Sequence, residues 1–171
     1  VDALCPRPYD GNTLQTQPQG GTESTVTRTA EELARRGHRV RIAQYNREER
    51  ATVNGVEHTP IKDLDDFDPG YVVSLRSALM LDEITARWPS ARSFALYQDV
   101  PVPDGFFERD VSSLIRNRGT VVLVSAWHRE QWIACMRALG FEGSEMRAER
   151  IFNPIPDDLH PDDTPVDPDK F

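Results

Sequence analysis

Cysteine is scarce in this chain: Cys5 and Cys135 are the only two among 171 residues, and neither belongs to a Cys-x-x-Cys or Cys/His cluster. That excludes a disulfide scaffold and a structural zinc site of ordinary spacing, and free thiols make a cytoplasmic setting the expectation. Apolar content is low as well, with 38% hydrophobic and 8% aromatic residues, as suits a domain with a polar tail or a surface meant for a partner. No apolar run approaches the ~20 residues of a bilayer span, so any membrane contact is expected to be peripheral. Positive charge is in deficit, 20 Lys+Arg against 28 Asp+Glu for a net −8, which argues against nucleic-acid backbones as the main partner. No Met and no charged-then-apolar leader opens the chain; no signal peptide is read, and there is room for native residues before Val1.

The length suits one domain with a single good core. Along it, apolar runs alternate with helical patterns. A weak strand over Val1, Ala3 and Leu4 leads into a polar loop, residues 6–19, long for a connection between a strand and a helix. Val26, Ala30, Leu33 and Ala34 then mark one face of a helix over 22–36, closed by Gly37. A strand is predicted over 39–45, followed by a small hairpin or edge excursion around Asn54-Gly55. Further strands are expected at 71–75, 93–98, 120–124 and 150–153. Helices are expected at 77–88, 105–118 and 126–139, the last capped by Ser125 and carrying Trp132 and Met136 inward.

This alternation predicts an α/β fold, a Rossmann-like open and mainly parallel sheet with helices on both faces, over residues 1–155. From residue 156 four prolines interleave with six aspartates, which reads as a linker or tail.

In such sheets ligands sit beyond the carboxyl ends of the strands. The candidates are therefore Gly20, Gly21, Thr22 and Glu23 at the start of the first long helix, then Ser74, Leu75 and Arg76, Gln98 and Asp99, Ser125 and His128, and Asn153. A glycine pair at a helix N-terminus leaves amide N–H groups bare toward an anion, although Gly-Gly is also plain turn chemistry. Asp99 has a competing reading as a turn residue before Val100-Pro101, and His128 as an exposed residue on a helix surface. There is no Gly-x-Gly-x-x-Gly and no Gly-Lys-Ser/Thr, so neither a dinucleotide fingerprint nor a Walker loop is present.

Four ordered pieces carry a resemblance. Residues 17–42 (QPQGGTESTVTRTAEELARRGHRVRI), 96–99 (LYQD), 124–129 (VSAWHR) and 151–155 (IFNPI) together resemble the N-terminal half of family 4 glycosyltransferases. The resemblance implies one half of a GT-B architecture, two facing Rossmann-like domains in which this half receives the acceptor. The other half would bind a nucleotide-sugar donor through a Glu-x7-Glu pair. It implies retaining transfer with the nucleotide-sugar as co-substrate and no metal. In that role Gln98 and Asp99 stand at the catalytic position, and Gly20, Gly21, Thr22, Glu23, Ser125, His128 and Asn153 line the substrate and donor phosphates. The sequence departs from the family where Gln98 replaces a histidine; an amide can orient a sugar hydroxyl but takes no proton near neutral pH. The Glu-x7-Glu spacings here, Glu23/Glu31 and Glu49/Glu57, are as many as chance supplies, so the chain alone is expected to be inactive. Two other classes stand beside this one: a non-catalytic binding module derived from a truncated transferase, and, more remotely, a receiver-like nucleotide-binding regulator.

Overall fold

The computed structural model describes residues 1–153; the tail from 156 onward and the end of the last motif lie outside the described residues. The chain forms helix α1 (Gly11–Thr16), α2 (Gly21–Arg35), strands β1 (Val40–Gln44), β2 (Ala51–Val53), β3 (Val56–Pro60) and β4 (Tyr71–Leu75), α3 (Leu81–Arg87), β5 (Arg92–Tyr97), α4 (Gly105–Arg116), β6 (Thr120–Leu123), α5 (Ala126–Ala138) and β7 (Arg147–Arg150).

Four strands, in the order β4-β5-β6-β7, are all parallel. A second group runs β1-β3-β2, with β1 and β3 parallel and β2 antiparallel at its edge. The first two residues stitch the groups together. Val1 donates to the Val73 carbonyl and accepts from the Leu75 amide, while Asp2 donates to the Ala43 carbonyl and accepts from the Tyr45 amide. The result is a Rossmann-like α/β arrangement in which Val1 and Asp2 lie between β1 and β4.

Alternation along β1 separates two cores. Ile42 packs with Val56, Cys5, Tyr9 and Ala30 of α2 on one face. Its neighbour Ala43 belongs to the larger core on the other face, where Val72, Ala95, Val121 and Leu123 meet Leu81, Val111, Leu114, Trp132 and Met136 of α3, α4 and α5. The connections explain the division. Stepping from β4 to β7 in one direction with right-handed crossovers places α3, α4 and α5 together, and stepping the other way from Val1–Asp2 to β1 places α2 opposite. On α2's side of β4 and β5 no helix of the described residues lies over the strands, and Tyr71 and Val73 stay exposed there, Tyr71 stacked on Phe94.

Several expectations shift. The opening segment forms no strand of its own: Asp2 makes a single parallel bridge to Gln44, beside the bonds of Val1 to β4. The polar loop contains α1, because Asp10 accepts from the Asn12 and Thr13 amides at 3.0 Å while the Thr13 hydroxyl bonds back to the Asp10 amide. The hairpin is real, with Asn54 and Gly55 at φ 49° and 81° as a tight two-residue turn requires. Its second arm is a full member of the parallel sheet rather than an excursion. The last strand lies three residues earlier than its apolar run suggests, on Arg147–Arg150, and Ile151 and Phe152 are exposed beyond it. Helix α3 starts four residues late because the turn at Ser77-Ala78 is held elsewhere, by the buried Asp110 of α4.

His58 on β3 is 1% exposed and neither ring nitrogen has a hydrogen-bond partner. Burial, helped by the nearby Arg47 charge and opposed by Asp10, pushes its pKa from 6.5 down to about 4. The native state therefore refuses a proton that the unfolded chain accepts below pH 6.5. Stability from this group is complete above pH 6.5 and is lost as pH falls toward 4, by on the order of 3 kcal/mol. Urea midpoints at pH 7 and pH 4.5 should fall further apart in the wild type than in His58→Phe. Equal falls would show that the ring is not held neutral.

Candidate functional site

The carboxyl ends of the parallel strands gather most of the residues singled out from the sequence. At the ends of β5, β6 and β7 five of them meet in three contacts. The Gln98 side-chain amide donates to Asn153 Oδ1 at 2.8 Å. His128, expected on an exposed helix surface, is instead 2% exposed, and its Nε2 stands 2.8 Å from the Asp99 carbonyl oxygen. A carbonyl only accepts, so Nε2 carries the proton and Nδ1 is left buried without a partner. His128 thus holds the main chain at Asp99, whose side chain is exposed. Ser125 is the cap of α5, its hydroxyl accepting from the His128 amide at 3.0 Å.

The second cluster lies at the end of β4 and the start of α2. Gly20 caps α2 in an extended conformation with no side-chain hydrogen bond, so the first amides of the helix keep their donors. Thr22 is buried at 8% exposure. Glu23 is not a free carboxylate: Arg76 Nη2 bonds it at 2.5 Å and reaches Asp2 Oδ2 at 3.5 Å. Arg76 directly follows β4 and adopts φ 67°, a left-handed backbone rarely used outside glycine, fixed by its amide bond to the Leu96 carbonyl. Asp2 is fully buried and also accepts from the Tyr9 hydroxyl at 3.0 Å. Gln44 and Arg47 bind the Tyr9 carbonyl and Arg47 pairs with Asp10, which anchors the long loop and α1 over this end of the sheet.

The glycines divide in their tolerance. A Cβ at Gly20 would overlap the Glu23 carboxylate, whereas one at Gly21 meets nothing within 4 Å and Gly21 has no positive φ. The backbone therefore does not demand glycine at 21; only an approaching ligand could.

Arg76, directly after β4, is among the strand-end candidates of the sequence; Asp2 and Tyr9 are not, and carry no local signal, since their burial follows from long-range pairing. Among the described residues no group of three His, Cys, Asp or Glu is placed to hold a metal ion, and no helix is long and apolar enough to cross a membrane. No family model, curated protein or solved structure matches the chain.

Proposed function

We propose that this chain is the acceptor-side half of a glycosyltransferase of GT-B architecture, moving a sugar from a nucleotide-sugar to an acceptor with retention when joined to a donor-binding domain. The observation that carries the reading is the surface of the strand-end edge. Tyr45, Val100, Val102, Phe106, Trp127 and Phe152, all on loops or first helical turns of that one edge, are between 40% and 68% exposed. An apolar rim around polar strand ends is what a second domain would cover. Within the rim, the bare α2 amides can stabilise charge growing on the departing phosphate. The objection that Glu23 would repel that phosphate weakens once Arg76 neutralises it. Gln98, fixed by Asn153, is suited to orient a sugar hydroxyl rather than to move a proton.

The test is transfer by the complete gene product against a panel of nucleotide-sugars. In that protein Gly21→Val is expected to lower turnover at least about tenfold, ~1.4 kcal/mol of transition-state binding. Stability should change little, because the added side chain meets open space. Unchanged turnover would assign the glycine pair to turn formation alone. Absence of transfer from every donor, with carbohydrate still bound, would make the chain a binding module instead.

A further inference from the structure

The opposite edge of the sheet holds an open cleft of about 970 Å³ between the first residues of β5, β6 and β7 and the C-terminal turns of α3 and α4. Four arginines line it: Arg92, Arg116, Arg118 and Arg147. Arg116 is accounted for, since Asp82 holds its guanidinium at 2.6 Å and its place in the last turn of α4 complements the helix dipole. The other three have no carboxylate within ion-pair distance among the described residues. Elsewhere in this chain most arginines near carboxylates are paired, as Arg41, Arg47, Arg50, Arg76 and Arg87 are.

All three border the one cleft. Arg92 and Phe94 share a sheet face by alternation, and Phe94, Thr120 and Arg147 lie in register across β5, β6 and β7. Two strand spacings and two residues separate Arg92 from Arg147, about 12 Å between Cα atoms, and the Arg92 guanidinium lies 6.0 Å from the centroid of the Tyr71 ring on β4, from which it would swing to share a ligand with Arg147. Arg118 approaches from the end of α4 at φ 52°, the left-handed position where glycine is the usual choice. Ser93, between Arg92 and Phe94 and on the opposite face of β5 by alternation, adds a buried hydroxyl without a partner to the lining. Glu149 is the one carboxylate of the lining, which leaves the cleft positive in a chain of net charge −8.

We propose that this cleft binds a ligand bearing two or more phosphate groups, at a site separate from the strand-end edge and independent of any transfer reaction. Guanidinium forks suit phosphate oxygens in bidentate pairs, and three of them in a cleft of this size exceed what one small oxyanion needs. The ligand can be a free polyphosphate compound or a phosphate-bearing lipid headgroup, and two arms of one experiment separate these sources.

The first arm titrates tripolyphosphate into the 171-residue chain by calorimetry, in low and in physiological salt. Saturable binding is expected, weakened by salt and at least tenfold weaker in the Arg92→Gln/Arg147→Gln double variant. Arg109→Gln, an exposed change elsewhere on α4, should bind as the wild type does. The second arm is co-sedimentation with vesicles containing phosphatidylinositol 4,5-bisphosphate, whose headgroup carries more than one phosphate group. Retention of the wild type and loss in the double variant would identify the headgroup as the source of phosphate. Circular dichroism on each variant confirms that it folds. Absence of binding in both arms, or equal binding by wild type and double variant, overturns the proposal.

Discussion

Asp110→Ala is expected to cost about 4 kcal/mol of folding stability, read as a fall in the urea midpoint at neutral pH. The magnitude follows from what the carboxylate does. It is wholly buried, accepts from the Tyr97 hydroxyl, from the Ser77 hydroxyl at 2.8 Å and from the Ala78 amide at 3.0 Å. Truncation removes both acceptor oxygens and leaves three buried donors without partners, at about 1–3 kcal/mol each before relaxation. Burial raises the pKa of this carboxyl, against the pull of Tyr97, Ser77 and the Ala78 amide. A folded-state pKa above the unfolded one means the group favours folding most below the unfolded pKa, and that this contribution is lost as pH rises through the folded value. Asp110→Asn should therefore lose less at neutral pH than Asp110→Ala and should lack the wild type's acid-side compensation. A neutral-pH loss under 1 kcal/mol in the alanine variant would show that the network is dispensable. The position also matters for the site: Ser77 follows Arg76, and Tyr97 precedes Gln98. One side chain on α4 thus pins both strand ends that carry polar groups.

Trp132→Ala should cost a similar amount, about 3–5 kcal/mol, as large aromatic truncations in a core do. The indole is fully buried, with ring centroids 5.4 Å from Tyr97 and 4.5 Å from Phe107, both in edge-on geometry. Its Nε1 proton has no acceptor. Trp132→Phe should accordingly be much milder, because it keeps an aromatic ring against both neighbours and removes an unpaired donor. The check is thermal unfolding of both variants; similar melting temperatures for Phe and Ala would mean that ring contacts contribute little. Combining Trp132→Phe with Asp110→Asn tests coupling, since both act through Tyr97.

The fold was readable where periodicity is strong. β4, α2, α4, α5 and β6 lie within two residues of their predicted limits because local pattern and tertiary burial agree there. Readability fails where long-range pairing decides. Val1 and Asp2 bond as they do because β1 and β4 flank them, and α3 begins late because Asp110, thirty-two residues on, captures the Ala78 amide. β7 shows the opposite error: Ile151 and Phe152 look like a strand interior, yet the paired residues are mostly charged ones at the sheet's edge. At the site, strand-end logic found Gln98, Asp99, His128 and Asn153, and the structure joins Gln98 to Asn153 and His128 to the Asp99 backbone. It could not foresee that His128 is buried or that Glu23 is neutralised, because each depends on an atom contributed from far along the chain.

The charged character of β7 has a bearing on how copies of this chain treat one another. A parallel sheet ends in a row of unpaired amides and carbonyls, and an apolar terminal strand would invite another molecule to extend it. Here the outermost strand of the four is short and carries Arg147, Glu149 and Arg150, all exposed. Adding a second strand alongside would strip water from these charges. The other margin is only three residues long, on β2. Among the described residues both margins are thus poor templates for another strand, one by charge and one by brevity, independently of the strand-end site.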